Sequence, residues 1–266
     1  MAGAGSGADQ VTTVVKLGGR VQGDPALPAT LARAWRRTEG ALVIVHGGGD
    51  EVTALQRRLG QEPTFVGGRR VTAAEDIDAL RMALSGLANK RLVAALVGAG
   101  VQAVGVSGED AGIIAAEPDG GGLGLVGRPT SVNVRVLRHL LVGGYLPVLS
   151  PLARGPGGPL NVNGDDVASA VAAALGGPHG EVELLLLSDV PGVLLGGVPA
   201  ATLDVDAALA AVADGSATGG MAAKLEAAVA ALAGGVTQVR IGDLTALDDR
   251  ARGTVVTQMR QSWSVA

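Results

Sequence analysis

Short apolar runs alternate along this chain with longer segments of helical spacing, and that alternation restricts the fold more than any other feature. The runs are 11–17, 41–45, 101–106, 146–149, 182–187 and 236–241, rich in Val, Ile and Leu. Between them the spacing predicts helices at 26–37, 50–59, 73–84, 132–141, 165–175, 205–212 and 221–232. A strand apolar on both sides must be covered on both sides, and helices between parallel strands supply that cover. The predicted class is α/β, with a mainly parallel central sheet.

One stretch breaks the rhythm. From 108 to 129, glycines and two strand-like pieces, 113–116 and 123–126, surround Glu117-Pro118-Asp119-Gly120. This reads as a β-hairpin region inserted between sheet strands, suited to a lid over one edge of a site. There is no internal repeat and no Pro/Ser linker, so two lobes sharing one sheet and dividing near Val182 are expected. Residues 1–10 are mostly Ala, Gly and Ser, without the basic start and apolar run of a signal peptide, and read as a disordered tail. The longest apolar runs, such as 184–187, are too short to span a bilayer.

Composition excludes several function classes. With 47% of 266 residues hydrophobic, a large core is available. Trp35, Trp263, Tyr145 and Phe65 are the only aromatics, which argues against a stacking surface for single-stranded nucleic acid. A net charge of −4 gives no footprint for DNA, RNA or an anionic membrane. No cysteine is present, and His46, His139 and His179 are too scattered in sequence to suggest a zinc cluster. A reducing cytoplasm fits.

In open α/β sheets ligands sit beyond the carboxyl ends of the strands, and this sequence puts glycines there. The first strand ends in Lys16-Leu17-Gly18-Gly19 and the second in His46-Gly47-Gly48-Gly49. Such glycines serve either a plain tight turn or the close approach of an anion to free N–H groups. A lysine among Val14, Val15 and Leu17 must reach a polar cavity or bear the cost of desolvation. Neither a Walker A loop nor a Gly-x-Gly-x-x-Gly turn after the first strand is present.

Further along, Asn161-Val162-Asn163-Gly164-Asp165-Asp166 opens a helix. Asn163 or Asp165 serves as its N-cap, and alternation places Asn161 and Asn163 on one side, where they can share a polar ligand. Ser188 and Asp189 follow the most apolar strand, in a loop that Pro191-Gly192 would turn. Gly219, Gly220 and Met221 begin another helix, which carries Lys224 in its first turn. A cation there opposes the helix dipole by roughly a few tenths of a kcal/mol unless it points at an anion or into solvent.

Taken in order, several segments are similar to one family. They are Val15-Lys16-Leu17-Gly18-Gly19, Val45-His46-Gly47-Gly48-Gly49, Gly68-Arg69-Arg70-Val71-Thr72, Ala88-Asn89-Lys90, Val106-Ser107-Gly108-Glu109-Asp110 and Gly144-Tyr145-Leu146-Pro147-Val148. Asn161-Val162-Asn163-Gly164-Asp165, Leu187-Ser188-Asp189-Val190-Pro191-Gly192 and Gly219-Gly220-Met221-Ala222-Ala223-Lys224 complete the set. Over roughly 14–256 the chain resembles the amino-acid kinase family, in particular its branch that phosphorylates N-acetylglutamate.

The resemblance implies a three-layer αβα sandwich. Residues 11–181 would bind an acyl amino acid and dimerise through the 73–84 helix, and 182–266 would bind ATP, with Mg2+ carried by the nucleotide and no metal held by the protein. Lys16 and Lys224 would contact the phosphoryl group in flight, with Asp165 holding both lysines. Gly18, Gly19, Gly47 and Gly48 would offer N–H groups to phosphates. Arg70 would grip the α-carboxylate, with Asn161 and Asn163 on the backbone and acyl portions. Ser188, Asp189, Gly219 and Met221 fall in the nucleotide half, and the 108–129 region matches a lid. The family's Ser-Gly-x-Asp-Gly stands here as Ser107-Gly108-Glu109-Asp110-Ala111. Arginine-inhibited members carry a helix ahead of the first strand, a pattern this Gly/Ala tail lacks, so a homodimer insensitive to arginine is expected; a docked nitrogen-signalling regulator is left open.

The chemistry agrees. A side-chain carboxylate with a solution pKa of about 4.3 is already a nucleophile and needs no general base. The reaction needs cations and N–H donors around a phosphoryl group, which two lysines and glycine amides provide. Three rival readings remain: an N-succinylglutamate kinase, a kinase for aminoadipate or glutamate carried on a small acidic protein in lysine biosynthesis, and a sensor that keeps the fold without turnover. The carrier-linked relative tends to replace the second amide with an acid and favours a basic rim, for which Arg69 and Arg70 are the main candidates here.

Overall fold

The computed structural model describes residues 11–66, 69–177 and 180–258. The expected tail at 1–10 and His179 lie outside them.

Strand β1 (Thr12–Leu17) and helix α1 (Leu27–Arg37) precede β2 (Leu42–His46) and α2 (Gly49–Arg58). A hairpin of β3 (Phe65–Val66) and β4 (Arg69–Arg70) leads to α3 (Asp76–Leu80), which runs through a π-helical stretch (Arg81–Ala88) into α4 (Asn89–Gly98). Then come β5 (Ala103–Ser107), β6 (Ile114–Pro118), β7 (Val126–Val132), α5 (Arg135–Val142) and β8 (Leu146–Ser150). Next are β9 (Leu152–Gly155), β10 (Gly158–Val162), α6 (Gly164–Leu175) and β11 (Val182–Leu187). The chain closes with β12 (Leu194–Leu195), β13 (Val198–Pro199), β14 (Thr202–Asp204), α7 (Val205–Ala213), α8 (Gly219–Ala233), β15 (Gln238–Gly242), α9 (Thr245–Asp248) and β16 (Thr254–Thr257).

The main sheet has eight strands in the order β14-β16-β15-β11-β1-β2-β8-β5. The six from β15 to β5 are parallel; β16 runs against β15, and β14 runs with β16. Successive residues of a strand face opposite sides, so the sheet has two cores. Val14, Val43, Leu184 and Leu186 pack with Val167 and Val171 of α6 and Leu225 and Leu232 of α8. Val15, Ile44, Leu185 and Leu187 pack with Leu27 and Leu31 of α1 and Leu92 and Leu96 of α4. All six residues of β11 are buried, which is why its sequence shows no polar alternation. Truncating one of those leucines to alanine would cost about 2–5 kcal/mol. The three-layer sandwich is thus in place.

Three expectations need correction. The 73–84 helix starts at Asp76, whose Oδ2 accepts the Ala73 N–H at 2.7 Å, and the helical path continues to Gly98. The strand expected at 123–126 is instead a crossing segment. Leu123 O and Leu125 N–H bond to the backbone of Thr72 at 2.9 and 2.7 Å, so β7 begins only at Val126. And β6 and β7 do pair antiparallel, but with β9 and β10 they close into a four-stranded barrel, so the 108–129 region is part of the scaffold rather than a free hairpin. At the departure from the family pattern, Ala111 adopts φ 50°, ψ 22°, the left-handed conformation that suits glycine. Among the described residues no helix is long and apolar enough to cross a membrane.

Candidate active site

The strand period sends Lys16 to the same face as Val14, towards α6 and α8, at the carboxyl end of β1. Helix α6 begins there: Asn163 is its N-cap, in extended conformation, and its Oδ1 accepts the Asp165 N–H at 2.8 Å. That cap fixes Asp165 in the first turn. Lys224 reaches the same point from α8. Lys16 Nζ lies 2.9 Å from Asp165 Oδ1, and Lys224 Nζ lies 3.6 Å from Oδ2. The Lys16 contact is an ion pair, not an aligned hydrogen bond. All three side chains are nearly enclosed, at 7, 4 and 8% exposure for Lys16, Asp165 and Lys224.

Two ammonium groups around one carboxylate leave a net positive charge in a desolvated space. Burial, with the charge of Lys16 behind it, pulls the Lys224 pKa down, and Asp165 partly offsets this. Like charges repel more strongly where water is excluded. An anion bound between the lysines removes that repulsion.

Next to this triad lies a cavity of about 220 Å3 whose walls include Gly47, Gly48, Phe65, Arg70, Asn161 and Asn163. Arg70 is aimed by three acceptors: Gln56 Oε1, the Gly49 carbonyl at 2.9 Å and Thr53 Oγ1 at 2.8 Å. Gln56, 1% exposed, is held in turn by donating to Asp76 Oδ1 at 2.6 Å. The guanidinium carbon sits 4.8 Å from the centre of the Phe65 ring, within cation–π range. Asn161, a lining residue, donates to Thr72 Oγ1 at 3.0 Å. Val126 and Gly127 are the residues of the 108–129 region that line it, with Phe65, Arg69 and Arg70 of the β3–β4 hairpin.

The four expected glycine N–H donors divide. Gly18 donates to Leu187 O and Gly47 to Leu17 O, both at 3.2 Å, because the parallel ladder runs one residue past each strand end. Their amides are spent on the sheet, which corrects the expectation that they serve phosphates. Gly19 and Gly48 N–H groups have no hydrogen-bond partner among the described residues.

Of the expected nucleotide-side residues, Ser188 and Asp189 follow the end of β11, and Gly219 and Met221 lie in the first turn of α8. Ser188 follows β11 and donates its N–H to Gly242 O at 2.8 Å, and the ideal Cβ position of Gly18 is 3.9 Å from Ser188 Cα. Asp189 pairs with Arg20, which holds its carboxyl below the usual range. Gly219 opens α8 with φ 54°, and Met221 follows within its first turn. Lys224 is also within the electrostatic reach of Asp189, which joins this group to the triad.

The sequence matches the Amino acid kinase family over residues 11–243. The chain belongs to that family.

The acetylglutamate kinase of Roseiflexus sp. (strain RS-1) is 44% identical to this amino-acid kinase over 253 residues, covering 94% of this chain and 95% of the relative. That of Geobacillus kaustophilus (strain HTA426) is 42% identical over 86% of this chain and 89% of its own length. Among solved structures, smu.665 from Streptococcus mutans UA159 superposes with a TM-score of 0.82 at 31% identity, covering 93% of this chain and 99% of the other. The Neisseria gonorrhoeae N-acetylglutamate synthase complexed with coenzyme A and N-acetyl-glutamate gives 0.77 at 25%, covering 95% of this chain and 60% of the other.

Sequence reasoning missed Phe65, Gln56 and Thr53 around Arg70, and the fate of Arg69. Arg69 pairs with Asp119 at 3.1 Å and Asp166 at 3.3 Å, while Arg128 pairs with Asp119 at 2.9 Å. Burial pushes the Asp166 carboxyl up to about 6 against the opposing pull of Arg69, with Asp165 adding to the rise. Of the doubled Asp165-Asp166, Asp165 meets the lysines, as the resemblance implied, while the pairing of Asp166 with Arg69 went unforeseen.

Proposed function

We propose that this amino-acid kinase transfers the γ-phosphoryl group of ATP to the side-chain carboxylate of N-acetyl-L-glutamate, giving N-acetyl-L-glutamyl 5-phosphate, a step of arginine biosynthesis. The observation that carries it is the convergence of Lys16 and Lys224 on Asp165 beside a small cavity with an arginine and two amides, in a chain 44% identical to an acetylglutamate kinase.

The acyl amino acid occupies the cavity, with its α-carboxylate on Arg70 and its amide and acyl atoms on Asn161 and Asn163. Its side-chain carboxylate points to the space between the lysines. ATP, with its Mg2+, lies across the ends of β1 and β11, against Gly19, Ser188, Asp189, Gly219 and Met221. As the phosphoryl group moves, its negative charge spreads over oxygens that Lys16, Lys224 and the free N–H groups of Gly19 and Gly48 neutralise. Asp165 keeps the lysines from separating. No proton has to leave the nucleophile, so no general base enters the scheme. Residues 11–181 serve the acyl amino acid and 182–266 the nucleotide, across one sheet.

The carrier-protein reading needs a basic rim, and Arg69 is instead tied to Asp119 and Asp166. We assign a cytoplasmic homodimer. Its interface is the continuous helix from Asp76 to Gly98, where Met82 is 51% and Leu87 42% exposed. The experiment is a side-by-side ATP-dependent assay of N-acetyl-L-glutamate, N-succinyl-L-glutamate and carrier-bound aminoadipate. The reading requires the first to have the highest kcat/KM; a preference for either of the others displaces it.

A further inference from the structure

His46 ends β2 with its side chain wholly enclosed, and Asn89, where the π-helical stretch passes into α4, is equally enclosed; both are 0% exposed. Imidazole Nδ1 stands 2.7 Å from the Gly47 carbonyl oxygen. A carbonyl only accepts, so Nδ1 carries a proton. In the neutral ring Nε2 is then an acceptor, and Asn89 Nδ2 donates to it across 3.1 Å. The amide is itself oriented: Nδ2 also donates to Val148 O at 2.9 Å, and Oδ1 accepts from Lys90 Nζ at 3.0 Å. Lys90 donates again to Gly105 O at 2.9 Å. Every donor meets an acceptor only if the imidazole is the neutral Nδ1–H tautomer. Burial agrees, holding the His46 pKa down to about 4.

The fold makes room for this chain of bonds. A Cβ on Gly105 would stand 1.8 Å from Asn89 Oδ1 and 2.6 Å from Lys90 Nζ. Gly48 has φ 156°, and a Cβ there would stand 2.7 Å from Leu84 Cδ2.

A trans peptide is planar, and its C=O and N–H point in opposite directions. Fixing the Gly47 carbonyl on the imidazole therefore fixes the direction of the Gly48 N–H. Gly48 borders the cavity, and its N–H is free among the described residues. We infer that Asn89 and His46 are positioning residues for phosphoryl transfer: Asn89 sets the His46 tautomer, and His46 aims the Gly48 N–H at the phosphoryl group. This rests on the kinase reading above. Neither side chain lines the cavity, so both act through the Gly47–Gly48 peptide.

The test combines nitrogen-15 NMR of the histidine rings with steady-state kinetics on the full chain. In the wild type at neutral pH, His46 is expected to show a protonated Nδ1 and a bare Nε2. The Asn89→Asp variant replaces a donor by an acceptor of the same shape and is expected to shift the ring proton from Nδ1 to Nε2, which leaves the Gly47 carbonyl without its donor. Asn89→Leu removes the donor without offering an acceptor. Both should lower kcat with ATP and N-acetyl-L-glutamate by about ten- to a hundredfold, as for a misaimed transition-state donor, with each KM within about threefold. A wild-type ring protonated at Nε2 overturns the inference whether or not the variants fold. So does a switched tautomer with unchanged kcat, which leaves the kinase reading intact. A wild-type enzyme inert towards N-acetyl-L-glutamate overturns the kinase reading, and with it this role for Gly48, even if the tautomer is as stated.

Discussion

Lys16 Nζ stands 2.9 Å from Oδ1 of Asp165, although the two residues enter from different layers, one from the central sheet and one from a covering helix. Asp165 also pairs with Lys224, so one carboxylate lies between two buried cations. Replacing it by Asn keeps the shape and removes the charge. Asp165→Asn should lower kcat by about a hundredfold or more. Because Asp165 raises the Lys224 pKa, its loss lowers that pKa further. The alkaline limb of the residual pH–rate profile should move to lower pH. An unmoved limb would contradict the electrostatic coupling.

Arg70 depends on Gln56 for one of its three acceptors, and Gln56 does not itself line the cavity. Gln56→Leu should raise the KM for N-acetyl-L-glutamate by about tenfold and leave kcat within about threefold, the pattern of lost uniform binding. Arg70→Lys should do the same or worse, because an ammonium cannot reproduce the planar fork. A fall in kcat at unchanged KM would place Arg70 elsewhere in the mechanism.

Two buried groups titrate in the same window with opposite effects on stability. Asp166 is raised to about 6, so its folded form holds a proton that the unfolded chain releases near pH 4, and stability falls as pH rises from about 4 to 6. His46 is lowered to about 4, so the unfolded chain takes up a proton first, and stability falls as pH drops from about 6.5 to 4. In the wild type these oppose each other. Asp166→Asn should gain stability relative to the wild type as pH rises from 4 to 7, and its own decline on acidification should be steeper. Tm measured across that range checks this; a constant difference would contradict it.

Arg240 lies on β15 at 3% exposure, paired with Glu183 on β11 and donating to the Ala246, Asp249 and Arg252 carbonyls. Arg240→Met leaves a buried carboxylate supported, among the described residues, by Arg250 alone. The expected loss is about 3–5 kcal/mol in denaturant unfolding, with less for the Arg240→Met, Glu183→Met pair. Ala111→Gly should act the other way, stabilising by about 1 kcal/mol through relief of the left-handed backbone.

The sheet strands were legible because burial on both faces writes itself as an unbroken apolar run; β11 lies at the same 182–187 as in the sequence reading. Lys16 stood out for the same reason, and it is buried and paired with Asp165. The barrel strands β9 and β10 were not, because Leu152–Gly155 and Gly158–Val162 are short and gain their pairing only by closing on β6 and β7. Nor could local pattern separate Gly18 from Gly19 or Gly47 from Gly48. Which amide is consumed by the ladder depends on the register of a neighbouring strand, a long-range property. The service of Gln56 to Arg70 and of Asn89 to His46 was hidden likewise, each pair meeting only when separate elements pack.

Lys224 offers the most direct test of the whole account. Steady-state kinetics of Lys224→Met with ATP and N-acetyl-L-glutamate should show kcat reduced by about a hundredfold or more, with both KM values changed by less than about tenfold, since the ammonium acts chiefly on charge that develops during transfer. Turnover equal to the wild type would contradict phosphotransfer between the two lysines.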